Sequence, residues 1–537
     1  MKNSLHQHVI DLNTADQQQW DIAIIGAGVG GSSAAYALTT EGYRVLLIEK
    51  GLSQFSGSRS SGVTNETEEP KERLTAGRWP TKLTIKIDGK TSDIWAPLGC
   101  GLGGSSLLYA AALGRLEPLD FELQDTPQGQ ISWPFSYNEL EPYYEQAETL
   151  FSVSGSTNPL SKQRPHGLKT PPVMAAVDQH FFESFQSSGL NPYRLHLGVK
   201  NIAGCVGCGG FVCQSGCKQD AAESCLVPAA KTGCLYILDN TEVISIDADR
   251  ETVNGLSVKK GSDLKTILAS KYILSAGAYF SPVILQKSIN ADWPKGLGND
   301  HDRVGRNLMF HVSEFFGIWP KGDFSDQGIR RTIALRDFYK RDNEKFGEFQ
   351  STGLSAGYGN ILYFLRTKFD QSWFRRIPLL RQLLRIPAYI ASKIFSDASV
   401  FACILEDFPY LENRILWDPQ CSSGMRVEYT IHKELKARVK KFRKMLRHTI
   451  KSNFIFPMTE GVGLNYGHPC GTCGAGNNPE TSVVNKDCKL HGIDNLYIAD
   501  ASFMPSSGGA NPSLTITANA LRVAEIIAKQ LKETNKL

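Results

Sequence analysis

Residues 21–31 read DIAIIGAGVGG, and few stretches restrict a fold as tightly. Residues 22–25 are apolar and β-branched, the pattern of a short buried strand. Residues 32–39 then read as an Ala-rich helix, and residues 44–48 as a second strand that ends at Glu49. Gly26, Gly28 and Gly31 complete G-x-G-x-x-G between strand and helix. The first glycine permits a tight turn, the second lets the backbone approach a pyrophosphate, and the third lets helix and strand pack closely. The helix start supplies free N–H groups and the positive end of a dipole for phosphates. Glu49 falls at the distance, about 20 residues on, where an acid accepts a bond from a ribose hydroxyl. Strand, turn, helix, strand and acid in this order point to a dinucleotide site rather than an unliganded glycine turn. Arg44 and Lys50 read as surface cations, not as readers of a 2′-phosphate.

The chain has 537 residues with 41% hydrophobic content, enough for more than one domain. A net charge of +4, with no basic run interleaved with aromatics, argues against a nucleic-acid partner. The first residues hold no apolar signal core, and no apolar run is long enough to span a bilayer. The expected location is therefore cytoplasmic, with peripheral membrane contact as an option. Residues 372–395, SWFRRIPLLRQLLRIPAYIASKIF, motivate that option because they are basic and apolar at once. They read either as a partly buried helical pair with arginines outward, or as a surface that lies on a membrane or covers an apolar substrate. Pro378 and Pro387 break any single long helix there.

Glycine and proline punctuate the rest. Residues 52–71 read as a loop. GCGLGGSS at 99–106 is a second glycine loop, followed by a buried helix over 107–113. Residues 136–152 and 432–447 carry helical apolar spacing, and 242–246 and 272–274 read as strands. Between 310 and 455 the chain turns more aromatic and basic, and no glycine motif occurs. The fold class is α/β, or α+β overall: a Rossmann-like nucleotide domain from 18–155, 226–312 and 456–537, and a second domain from 313–455. Residues 156–225 form a cysteine-rich insertion. Six of the 12 cysteines lie between Cys205 and Cys234, and Cys205, Cys208, Cys213 and Cys217 are spaced C-x2-C-x4-C-x3-C. Close thiolates among glycines suit an iron–sulfur cluster or zinc; metal-free thiols are the third reading. A disulfide framework fits less well in a long chain without a signal segment.

The tail carries the chemistry: HPCGTC at 468–473, then YIADASFMPSSGGANPSLTI at 497–516. Oxidising an alcohol removes a hydroxyl proton and a hydride from the adjacent carbon. A neutral imidazole, with an ordinary pKa of about 6.5, suits the first task, and His468 is the candidate. Asn511 is placed to bond the substrate oxygen or to cap the helix that follows. Pro512 suits that helix's first turn. His311 and His491 read as structural. Glu406 reads as a turn or surface acid, or as a second carboxylate near the substrate.

Five ordered segments together resemble the glucose–methanol–choline (GMC) oxidoreductases, which use FAD to oxidise alcohols. They are GAGVGG at 26–31, GCGLGGSS at 99–106, ILSAGAYFSPVILQ at 273–286, VGRNLMFH at 304–311, and the tail from His468. The resemblance implies an FAD domain and a substrate domain on an antiparallel sheet. It places Gly26, Gly28, Gly31 and Glu49 at the ADP half of FAD and Val243 at the adenine. Gly103, Gly104 and Ser105 would approach the flavin, and Ala276 and Gly277 would also touch the cofactor. Asp500 and Ala501 would meet the ribityl–pyrophosphate region. Asn511, Pro512 and Thr515 would sit beside the ring, with the helix dipole stabilising charge on reduced flavin. His468 and Asn511 would form the catalytic pair for converting a primary or secondary alcohol to aldehyde or ketone. Tyr109 stands where members often have Asn, and Ala475 where many have Met. The cysteine segment resembles a branch that includes cholesterol-oxidase-like, long-chain-alcohol and sugar-dehydrogenase proteins. Some of the last carry a three-iron cluster, for which Cys208, Cys213 and Cys217 would be ligands. The competing functions are a non-redox lyase or photochemical enzyme on this fold, and an electron-transfer subunit with an iron–sulfur cluster. These motifs specify neither the alcohol nor the electron acceptor.

Overall fold

The computed structural model describes residues 2–55, 68–163, 165–200, 202, 205, 209–322, 324, 330–355, 357–370, 372–395, 397–451 and 453–534. Of the expected loop over 52–71, residues 56–67 lie outside this set, and Pro70–Thr75 is a short helix.

The nucleotide motif builds the first sheet. β1 (Gln19–Ile25), β2 (Val45–Ile48) and β3 (Leu235–Leu238) run parallel in the order β3-β2-β1. β4 (Glu242–Ala248), β5 (Val253–Lys260) and β6 (Asp263–Leu274) form an antiparallel meander. β6 also runs parallel beside β1, from Gln19↔Leu268 to Ile25↔Leu274. The strand Leu496–Ile498 lines its other edge. All four residues of β2 are buried, as expected of a parallel strand covered on both faces. Helix α1 (Val29–Thr40) follows β1 directly and packs on the helix Ser513–Thr534. The start of α1 also needs bare backbone: a Cβ at Gly31 would lie 2.0 Å from the Gly26 carbonyl oxygen, and one at Gly30 only 1.7 Å from that of Ala499. Helix α2 (Gly277–Lys287) starts where β6 ends.

The second sheet is antiparallel. β7 (Met309–Trp319), β8 (Gly347–Ser355), β9 (Ser399–Leu405) and β10 (Phe454–Pro457) stand in the order β10-β7-β9-β8. Ile333–Leu335 and Tyr193–Arg194 continue it, and β11 (Leu464–Cys470) pairs with the start of β7. Phe181, Phe185, Phe401 and Phe442 belong to its core, with helices Ala176–Ser187 and Lys433–Thr449 packed over them.

Several boundaries shift from the sequence reading. β10 and β11 both belong to the antiparallel sheet, so a border at 456 falls inside β10 and leaves β11 on the wrong side. Residues 156–225 are not one insertion: Ala176–Ser187 joins the second core, while Ala221, Ala222 and Cys225 join the first. Arg414–Trp417 and Met425–Tyr429 pair with Leu83–Ile87 and Lys90–Ile94 in a separate four-stranded sheet. The helix expected over 107–113 is only the 3-10 turn Gly104–Leu107. The carbonyls that would continue it are taken elsewhere. The buried Lys218 ammonium donates to Leu107 O and Tyr109 O, and Gly210 N donates to Leu108 O. Beyond the turn, Ala111 sits at φ +57°, and Ala112 bridges Leu197.

Between β8 and β9 the chain leaves the sheet as α3 (Tyr358–Asp370), a 3-10 turn Trp373–Arg376, α4 (Pro378–Leu383) and α5 (Arg385–Ile394). Pro378 opens α4, and Pro387 sits in the first turn of α5, where each is tolerated. The helices pack on one another with Ala388 buried and with Arg376 and Arg385 exposed, but large apolar side chains of this segment face solvent beside those cations. Among the described residues, no helix is long and apolar enough to cross a membrane.

Buried ion pairs join the two domains. Arg336 donates through Nε to Glu348 of β8 at 2.8 Å and through Nη1 to Glu117 at 2.5 Å. Lys345 bridges Asp120 at 2.6 Å and Glu406 at 3.1 Å. Removing one partner from such a set leaves a carboxylate buried and uncompensated. Arg336→Met should therefore lower unfolding free energy by about 3–5 kcal/mol, read from urea denaturation. A loss under about 1 kcal/mol would show that Arg336 is not a fastening between domains.

Candidate active site

A cavity of about 480 Å³ opens where the ends of β1 and β6 meet the start of α1. At Gly28, the N-cap of α1, a Cβ would meet nothing within 4 Å, so open space lies at the helix start. Gly104 backs directly onto this turn: its Cβ would lie 2.7 Å from the Gly28 Cα. Gly103 N donates to Ala27 O at 2.9 Å, which binds the second glycine loop to the first.

Two buried carboxylates hold the rim. Glu49 accepts three backbone N–H bonds, from Ala27 at 2.9 Å, Gly51 at 2.8 Å and Gly101 at 3.0 Å. Burial pushes its pKa up, and the three donors oppose that shift. Asp500 accepts from Gly277 N and Ser502 N, both at 2.8 Å, and from the Ser281 hydroxyl. Burial raises its pKa as well.

The candidate residues divide by position. Gly26, Gly28, Glu49, Gly104, Ser105, Val243, Ala276, Gly277, Asp500, Ala501, Pro512 and His468 all line the cavity. Gly31 does not, because it faces the Gly26 carbonyl, and Gly103 lies behind the wall. Thr515 is turned away, with its hydroxyl 2.8 Å from the Tyr144 hydroxyl. Asn511 is buried, and its Nδ2 donates to Gln350 Oε1 on β8 at 3.1 Å. Glu406 is fully buried against Lys345, so it is neither a surface acid nor a wall of the cavity. His491 is structural, bonded to Ser482 at 2.9 Å.

His468 sits on β11, and His311 on the paired strand β7. Their rings lie 5.3 Å apart at 88°. His311 Nε2 is 3.1 Å from the carbonyls of Ser507 and Gly508, which only accept, so its proton resides on Nε2. Burial pushes the His311 pKa down to about 4. Burial, with His311 adding to it, pushes His468 down to about 3. Both rings are neutral near pH 7.

Sequence reasoning missed two features and left the placement of a third, Tyr109, open. His311 is adjacent to His468, a consequence of strand pairing that no local motif carries. Trp79 and Phe280 stack at 4.0 Å on the cavity wall, from segments with unremarkable patterns. Tyr109, in place of the Asn common in the resembling family, lines the cavity and donates its hydroxyl to Gln219 O. Among the cysteines, Cys208 lies outside the described residues. Cys213 and Cys217 approach to 3.6 Å, and both are buried. Among the described residues, no group of three or more Cys, His, Asp or Glu is arranged to hold a metal ion.

Comparison with known proteins places these features in one group. Family models described as GMC oxidoreductase match residues 21–313 and 418–520. The chain is 27% identical to 6'''-hydroxyparomomycin C oxidase of Streptomyces lividus, covering 98% of this chain and 94% of that one. It is 25% identical to 2-methyl-1,2-propanediol dehydrogenase of Mycolicibacterium austroafricanum, covering 97% of each. The structure of pyridoxine 4-oxidase from Mesorbium loti shares the fold, with TM-score 0.65 and 19% identity over 95% of this chain and 99% of that one.

The glycine geometry yields a paired expectation. Gly28→Ala should fold with an unchanged melting temperature yet bind FAD at least about tenfold more weakly, because its methyl enters cavity space. Gly30→Ala should fail to give stable protein, because its Cβ has no room. Equal melting temperatures and equal flavin absorbance for both variants would contradict this division.

Proposed function

Since the chain belongs to the GMC oxidoreductase family, we infer that it oxidises the CH–OH group of a small alcohol to an aldehyde or ketone, with FAD as cofactor. The observation that carries this reading is a single cavity with the G-x-G turn and the His468 imidazole both in its wall. The donor set fits FAD. Open space at Gly28 and the start of α1 suit a pyrophosphate, and Glu49, with three of its about four acceptor positions taken, keeps one for a ribose hydroxyl. Val243 would flank the adenine; Ala276, Gly277, Asp500 and Ala501 would line the middle; Gly104, Ser105 and Pro512 would approach the flavin. The chemistry FAD supplies when bound is acceptance of a hydride.

The chain's own groups handle the proton. His468 is neutral in the resting site and so is ready to accept the alcohol's hydroxyl proton as hydride leaves carbon. Its Nδ1 is buried without a partner among the described residues, which leaves Nε2 for the substrate. Asn511, held by Gln350, orients the substrate oxygen. The N-terminus of helix Ser513–Thr534 adds positive potential at the cavity, which Ser513 and Ile516 line. The alternatives of a lyase, a photochemical enzyme or an electron-transfer subunit gain no support, because the relatives are named as oxidases and dehydrogenases. Cys213 and Cys217 are best read as a thiol pair.

His468→Ala should keep its flavin and slow anaerobic flavin reduction by alcohol roughly 10²–10⁴-fold, measured by stopped-flow bleaching across sugars, diols and aromatic alcohols. Bleaching at the unmodified rate would remove His468 from the base role. Because His468 and His311 stay neutral down to about 3 and about 4, the reduction rate should hold level from pH 9 to roughly pH 5. An acid limb centred near about 6.5 would mean that the imidazole titrates normally.

A further inference from the structure

The excursion between β8 and β9 exposes what a soluble surface normally hides. On α5, Ile386, Tyr389, Ile390 and Ile394 recur at helical spacing on one face and are 55–61% exposed. Ala388, on the other face, is the residue that packs inward, and α5 lies against α3. α4 repeats the arrangement with Leu379 and Leu383, four residues apart and 69% and 47% exposed. In the turn before α4, Trp373 stacks on Phe374 at 4.7 Å and is 73% exposed. The apolar surface continues onto the edge strand β10. Phe395 contacts Phe456 at 5.7 Å, and both Phe454 and Phe456 are exposed. A continuous apolar patch of this kind marks an interaction site.

The charges say what covers it. Residues 358–395 hold seven Arg or Lys and one Asp, in a chain whose total charge is only +4. The cations are interleaved with the apolar residues: Arg376 beside Ile377, Arg385 beside Ile386, Lys393 beside Ile394. Arg381 forms an ion pair with the lone Asp370 at 3.0 Å, which pins α4 to the end of α3. Short helices with an outward apolar face that includes Tyr389, flanking arginines and a Trp in the preceding turn match the interfacial zone of a bilayer. The helices are too short to span one, so they would lie in its plane.

We propose that α3–α5, with the rim of β10, form a docking surface for a lipid bilayer carrying anionic headgroups. The apolar faces enter the headgroup–acyl boundary, and the arginines and lysine meet lipid phosphates. This reading is independent of the alcohol-oxidation assignment, because none of these residues lines the cavity.

The test is co-sedimentation of the full flavin-loaded protein with vesicles of phosphatidylcholine alone, or with phosphatidylglycerol added. Binding to the anionic vesicles should exceed binding to neutral ones at least about tenfold at low salt and weaken as salt rises. The triple variant Ile386→Ser, Ile390→Ser, Ile394→Ser should lose at least about tenfold in binding while flavin content is unchanged, since none of these side chains lines the cavity. Arg376→Glu with Arg385→Glu should abolish the preference for anionic vesicles. Trp373 fluorescence should shift to the blue on binding, and Trp373→Phe should remove that shift. The proposal fails if the unmodified protein stays in the supernatant with both vesicle types, or if the triple variant binds as well as it does. It also fails if the unmodified protein is a dimer that the triple variant converts to monomer, because the patch is then covered by a second copy of the chain.

Discussion

The cavity depends on one carboxylate. Glu49 receives backbone N–H bonds from the G-x-G turn, from the end of β2 and from the second glycine loop. Each of those turns has given up side chains so that backbone can approach backbone, and each therefore leaves donors that need an acceptor. Charge-assisted bonds from three separate turns to one buried group fix their relative positions more firmly than apolar packing would. Asp500 does the same across the cavity, tying α2 to the segment that leads to Asn511. The ribose acid read from sequence is thus also the fastening that shapes the pocket.

The second constraint is electrostatic. Apart from Glu49 and Asp500 on the rim, several charges are buried as ion pairs away from the cavity: Arg115 with Glu148, Arg336 with Glu117 and Glu348, Lys345 with Asp120 and Glu406. The Arg336 and Lys345 sets lock the antiparallel sheet to the nucleotide domain. What remains at the His468 end is neutral, two imidazoles on paired strands with depressed pKa values. Two neutral rings can sit 5.3 Å apart, whereas two charged ones would repel. A proton arriving on His468 is poorly accommodated there, which favours handing it on.

The sequence made local geometry legible and pairing illegible. Gly26, Gly28 and Gly31 announced a turn whose stereochemistry leaves few options, and the strands and helix around it formed within a few residues of their expected bounds. His468 and Pro512 stood out because their neighbours are so restricted. The helix expected over 107–113 failed because Lys218, more than 100 residues away, takes its carbonyls. No local pattern encodes a distant competitor for a hydrogen bond. His311 read as structural for the same reason, since its neighbour arrives by the pairing of β7 with β11. Residues 372–395 were ambiguous because apolar spacing defines a face without saying which way it turns.

The first sheet sets β1, β6 and the strand Leu496–Ile498 side by side, although Ile25 and Ile498 lie more than 470 positions apart in the chain. Contacts of such sequence separation form late. On the ribosome, the glycine turn emerges first and must wait for the segment carrying Asp500 and Asn511, with Gly30 facing the empty place of Ala499. The cavity wall is therefore completed only on the nearly finished polypeptide, so a cofactor that needs both the glycine turn and the Asp500 segment meets its whole site only after the chain is almost fully made.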